Sequence, residues 1–142
     1  MSGGRRHMAR RRAVQALYQG EMMDQSVNEI KLNFLEDSKQ AEVDHAYFYH
    51  LLEEVSHHRD SIDARLAGCL DRDLATVDPV ERAVLRLGAY ELEYQTDTPT
   101  RVVLDESIEM SRIFGAEEAY RFVNGVLDRL ATVLGRKTGS DV

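Results

Sequence analysis

Along most of the chain, apolar residues return at intervals of three and four, the period of an α-helix rather than a strand. The first such stretch runs from about residue 6 to 24, with Ala9, Ala13, Ala16 and Leu17 as its stripe. A short second one, about 26 to 37, uses Val27, Ile30, Phe34 and Leu35. A long third one, about 42 to 70, carries Val43, Tyr47, Leu51, Val55, Ile62, Leu66 and Leu70. No run alternates with β-branched enrichment, and the only prolines are Pro79 and Pro99, so the chain is predicted to be all-α.

The second half opens on DPVERAVLRLGAYELEY, where Asp78 reads as an N-cap, Pro79 as the first helical residue and Glu81 as the partner of a capping box. On a helical wheel Arg82, Arg86 and Glu93 share one narrow strip, while apolar residues cover most of the rest. A helix apolar on so many sides is expected to be central. Glu91 points to its apolar side, which predicts a structural ion pair or hydrogen bond there, with an arginine as the natural partner. TDTPT at 96–100 is a turn, a helix follows from there to a stop at Gly115, and a last helix is expected over about 116–134. Two packed three-helix bundles account for these elements: one sub-bundle over about 6–75 and one over about 78–135, in a single domain of 142 residues with a basic arm at 1–12.

Charge changes this picture at one end. The chain carries a net charge of −7, yet residues 1–12 hold five of its 18 lysines and arginines and no acid, which leaves 13 bases against 25 acids in the remainder. Arg6 and Arg10 fall on the same side of the first helix as Ala13 and Leu17. Buried there, each would be an unpaired charge among apolar groups, so the first turns are expected to project beyond the bundle or to move. Such a block is either a solvated tail paired with acids of the same protein or an arm for polyanions, since arginine grips phosphate in a bidentate fashion. No apolar stretch approaches the 18 residues a membrane span needs, no apolar segment follows the N-terminal charges as in a secretory signal, and the lone Cys69 has no internal disulfide partner. These features predict a cytoplasmic protein.

Candidate chemistry is sparse. No phosphate-binding glycine loop, nucleophile elbow or paired-cysteine motif occurs, and His45, His50, His57 and His58 lack the i, i+4 spacing of a helical metal site, so neither catalysis nor a metal or cofactor is expected. Arg11, Gln15, Tyr18 and Met22 share the outward face of the first helix. Tyr18 there is either covered by a loop or an anchor for a protein partner. In the last helix Ala119, Val123, Val126, Leu127, Leu130 and Leu134 define the buried stripe, and Phe122 lies at its boundary, flanked by Glu118, Gly125 and Arg129. Phe122 is either an edge-of-core residue or a platform on which a base stacks. Gly125, inside a continuous helical pattern, suggests close approach by something to the helix.

Three blocks, RRRAVQALYQ at 10–19, VERAVLRLGAYEL at 80–92 and DESIEMSRIFGAEEAYRFVNGVLDRL at 105–130, resemble the NusB family of bacterial transcription antitermination factors. The resemblance runs over nearly the whole chain, and residues 25–75 match by length and helicity more than by motif. It implies a fold of two three-helix bundles without enzymatic activity. It also implies binding to the boxA element of nascent ribosomal RNA transcripts as single-stranded RNA, with the small-subunit ribosomal protein NusE and within the RNA polymerase antitermination complex. By position, the family's RNA-contacting residues fall on Arg5, Arg6, Arg10, Arg11 and Phe122, with the acid at Glu118 where the family often has aspartate. The NusE-facing surface would include Tyr18 and Glu81, with Arg86 nearby. Two alternatives stay open: the NusB-like RNA-binding module of certain ribosomal RNA cytosine methyltransferases, whose catalytic half is not expected here since the chain ends at Val142, and a helical adaptor that binds protein alone.

Overall fold

Asp78 caps its helix as its sequence position requires: its Oδ1 accepts from the N–H of Val80 at 2.9 Å and of Glu81 at 3.4 Å, and Pro79 follows as the first helical residue. The computed structural model describes residues 2–35 and 44–136, and every regular element among them is helical. These are α1 (Ser2–Met23), α2 (Val27–Leu35), α3 (His45–His57), α4 (Arg59–Ala67), a 3-10 turn (Leu74–Thr76), α5 (Pro79–Tyr94), α6 (Thr100–Phe114) and α7 (Ala119–Val133). The all-α expectation holds. The expected ends of the second helix at 36 and 37, the start of the third at 42, and Val43 lie outside the described residues.

Two compact units divide the chain, Met1–His57 and His58–Val142. The single helix expected over 42–70 is in fact two, broken at His58 (φ −98°, ψ 14°). Periodicity alone could not reveal this, because Val55, Ile62 and Leu66 keep one apolar stripe in phase across the break. The division therefore falls at 57/58, earlier than the 75–78 boundary expected, and α4 packs with α5 in the second unit.

In the first unit α1 lies on α3, and the alanines are the reason it can come close: Ala9, Ala13 and Ala16 are fully buried against Tyr47, Phe48, Leu51, Leu52 and Val55 of the α3 core. Ser26 and Glu29 form a reciprocal capping box at the start of α2, the Glu29 N–H donating to Ser26 Oγ at 3.2 Å and the Ser26 N–H to the Glu29 carboxylate at 3.1 Å. The Ser26 N–H, and after it the Ser26 hydroxyl, hold the Glu29 carboxyl below its ordinary pKa. Gly20 permits the α1–α2 turn, since a Cβ there would sit 2.5 Å from Ile30 Cδ1.

In the second unit α5 is central, packed by α4, α6 and α7, and every residue from Ala83 to Leu92 is buried. Its polar strip faces protein rather than water. Arg82 donates to the carbonyls of Ala75 and Val77 at 3.1 and 2.6 Å, Arg86 pairs with Asp63 of α4, and Glu93 pairs with Arg65 of α4 at 3.3 Å. Arg136 lies within electrostatic reach of buried Glu91 and donates to the main-chain carbonyls of Glu91 (3.3 Å), Leu92 (2.9 Å) and Thr98, closing the C-terminal end of α5. Gly115 ends α6 as expected, in an extended conformation in which a Cβ would meet the Ser111 carbonyl oxygen at 2.7 Å.

Candidate nucleic-acid interface

The arginine block is part of α1, which runs unbroken from Ser2. This corrects the expectation that its first turns project beyond the bundle. Arg10 is buried at 4% exposure, and its guanidinium lies 5.4 Å from the centroid of the Tyr47 ring. Arg6 sits over the same ring at 4.3 Å and reaches the Asp44 carboxylate at 3.9 Å. Tyr47 and Asp44, at the start of α3, thus supply the aromatic face and the countercharge that a burial argument made from α1 alone had left out. Asp44 is tied down in turn, its Oδ1 accepting from the Tyr47 N–H at 3.0 Å and its own N–H donating to the Arg5 carbonyl at 3.2 Å.

The five arginines therefore differ in exposure: Arg10 is buried, Arg6, Arg11 and Arg12 are partly exposed, and Arg5 is exposed, with Arg6 and Arg10 both set against Tyr47 of α3. Farther along the same helix Tyr18 is 38% exposed, with Gln15 and Met22 exposed beside it on the face the wheel predicts.

In the second unit the site residues lie on α5, α7 and the segment after α4. Glu81, in the first turn of α5, is half-buried; burial pushes its carboxyl above the ordinary value, the Asp78 carboxylate adds to the rise, and the Arg72 guanidinium opposes it. Arg86 is turned inward to Asp63 at 9% exposure, so its charge is spent inside the unit instead of on the partner-facing surface where the resemblance placed it. Phe122 is half-buried at the boundary of the α7 stripe, and the Arg72 guanidinium lies over its ring, 4.8 Å from the centroid. Glu118 precedes α7 with a left-handed backbone (φ 75°) and pairs with Arg121 at 2.8 Å, so part of its charge is already answered.

Gly125 departs from its expectation as far as the described residues go. A Cβ there would have as its nearest neighbour only the tip of Arg129, at 3.9 Å, so nothing among them approaches the helix. Three of the histidines lie against rings, His58 stacking on Tyr94 at 4.2 Å between centroids, Tyr47 on His50 at 6.0 Å, and His45 tilted against Tyr49 at 6.5 Å. Sequence reasoning missed Arg72, Tyr47, Asp63 and Arg136. Each acts across a turn or between helices, and no spacing within one helix signals that.

Comparison with known proteins agrees with this architecture. The NusB family model matches residues 7–132. The chain is 44% identical over 132 residues to the transcription antitermination protein NusB of Pasteurella multocida (strain Pm70), covering 93% of this chain and 92% of that one. It is 45% identical over 132 residues to the protein of the same name from Actinobacillus pleuropneumoniae serotype 5b (strain L20), covering 93% and 96%. Among solved structures, NusB of T. maritima superimposes with a TM-score of 0.78 at 31% identity over 89% of each chain. A chain from a complex of the antitermination factors NusB and NusE with dsRNA shares the fold, with a TM-score of 0.75 at 24% identity over 89% of this chain and 96% of that one. With the family model matched over most of its length and these relatives 44–45% identical to it, the chain belongs to the NusB family.

Proposed function

We propose that this protein is a cytoplasmic transcription antitermination factor that binds the boxA element of nascent ribosomal RNA transcripts together with NusE, as part of an RNA polymerase antitermination complex. It works by binding and carries out no catalysis. The observation that carries the reading is the arginine block on α1, with Arg5, Arg11 and Arg12 at least partly exposed on a chain that is otherwise strongly acidic. Attraction for a polyanion is thereby concentrated on one short stretch of helix. Family membership supports the same reading, and the relatives named for antitermination are matched over 92–96% of their length, which favours it over the methyltransferase module. Tyr18 and Glu81 are assigned to the NusE-facing surface, and Arg5, Arg11 and Phe122 to the RNA-facing one. Arg6 and Arg10 serve the RNA surface by holding α1 on Tyr47, and Arg86 serves the NusE surface by holding α5 on α4.

The test is a titration of boxA-like and scrambled single-stranded RNA with and without NusE at several salt concentrations. Selective boxA binding that NusE strengthens is expected. Replacing Arg5, Arg11 and Arg12 together by glutamine should flatten the salt dependence by about 2 in log K against log salt, at roughly 0.7 per phosphate on single strands. Tyr18→Asp and Glu81→Lys should weaken NusE binding and leave the RNA affinity of the protein alone unchanged. Equal affinity for boxA and scrambled RNA under all conditions would refute the reading.

A further inference from the structure

Arg6 faces the Asp44 carboxylate at the start of α3, and the pair is unlike the one that Arg86 makes with Asp63. Arg86 is gripped through two bonds of 2.9 and 3.1 Å and is nearly buried. Arg6 stands 3.9 Å from Asp44 with its side chain 41% exposed, and it donates no hydrogen bond to any of the described residues. Asp44 is not placed to close that gap. Its Oδ1 accepts from the Tyr47 N–H at 3.0 Å and its own N–H donates to the Arg5 carbonyl at 3.2 Å, so carboxylate and backbone are both tied. Arg6 is fixed from the other side, over the ring of buried Tyr47 at 4.3 Å from the centroid. A guanidinium set on a ring and out of hydrogen-bond reach of its carboxylate keeps its N–H donors for another acceptor. Asp44 thus offsets the charge of Arg6 without using its hydrogen-bonding capacity.

We propose that Asp44 is a built-in competitor of RNA: it holds Arg6 in reserve, and single-stranded RNA already engaged by Arg5, Arg11 and Arg12 displaces it and takes Arg6 as a further phosphate contact. The exchange favours the polyanion for two reasons. A phosphate can accept from two guanidinium N–H groups at once, whereas Asp44 has one oxygen tied to the Tyr47 N–H and reaches Arg6 only with the other. A half-exposed pair beyond hydrogen-bond distance is also weak and screened by salt, so it yields to an anion that neighbouring arginines hold in place. A single small anion lacks that help and meets the competing carboxylate alone. Asp44 touches no RNA; it sets how readily Arg6 does. The inference concerns regulation of the arginine block and rests on the RNA-binding reading above.

The experiment measures the affinity of the full chain for a boxA-like single-stranded RNA at several salt concentrations, with melting temperatures on the same samples. Asp44→Asn keeps a side-chain oxygen for the Tyr47 N–H and removes only the charge. It should tighten RNA binding about threefold at roughly 0.1 M salt, the scale of a half-exposed ion pair, and the gain should shrink as salt rises. Asp24→Asn makes the same change of charge beyond the other end of α1, about 25 Å from Arg6 at 1.5 Å per residue, and should bring no comparable gain. Arg6→Gln should weaken binding, and adding Asp44→Asn to it should recover nothing, because the competitor then has nothing to compete for. A purely structural Asp44 makes the opposite forecast, a lower melting temperature and weaker RNA binding in Asp44→Asn. That result overturns the inference, as do parent affinity in Asp44→Asn, an equal gain in Asp24→Asn, or a gain that persists with Arg6→Gln. If one of these comes while the triple Arg5, Arg11, Arg12 variant still loses affinity, the role of Asp44 alone fails. Absence of RNA binding by the unaltered chain would overturn both.

Discussion

Arg86 of α5 and Asp63 of α4 form a two-pronged ion pair, Nε to Oδ1 at 2.9 Å and Nη2 to Oδ2 at 3.1 Å, with the arginine nearly withdrawn from water. Such a pair fixes the crossing of two helices because both N–H groups are directional. Asp63→Ala leaves a buried guanidinium without its main counterion and should destabilise the protein by about 3 kcal/mol. Combining Asp63→Leu with Arg86→Met should restore much of the loss. Urea unfolding of the single and paired variants checks both expectations.

Tyr47 carries two arginines on its ring, and only one of them is buried. Tyr47→Leu keeps an apolar side chain in the core and removes the π face beneath Arg10, so it should cost about 2 kcal/mol. The same change should leave the salt slope of RNA binding intact in the folded fraction, because Arg5, Arg11 and Arg12 are untouched. Thermal unfolding together with RNA titration separates the two effects.

Glu118 enters α7 with a left-handed backbone, a conformation that disfavours any residue with a Cβ. Its pair with Arg121 is exposed on both sides and offsets little of that cost. Glu118→Gly should therefore raise stability by up to about 1 kcal/mol, read as a higher melting temperature. A fall would mean that the ion pair outweighs the backbone.

The Glu81 carboxyl is raised above its ordinary 4.5, first by burial and then by Asp78, against the opposing Arg72. Because the folded state favours the neutral form, the contribution of this group is fully present below the unfolded value and is lost as pH rises through the folded one. Glu81→Gln should thus melt higher than the parent at pH 7, and the difference should vanish near pH 4. Melting curves at the two pH values test this.

What the sequence determined by itself is what lies within a single helix. Pro79 behind Asp78, the glycine at 115 and the three-and-four spacing of Ala9, Ala13 and Ala16 act through neighbours a turn away, so α1, α5 and the end of α6 were legible. The boundary position of Phe122 and the outward position of Tyr18 were legible for the same reason. Tertiary structure alone decided how the polar side chains are spent. Arg10 could be buried because Tyr47 of another helix supplies a face for its charge, and Arg86 was drawn inward because Asp63 lies across from it on α4. The break at His58 was hidden because the apolar stripe stays in phase through it. A helical wheel carries the angle of each residue about its own axis and nothing of what stands opposite, and the free energy of a charged group is set by what stands opposite.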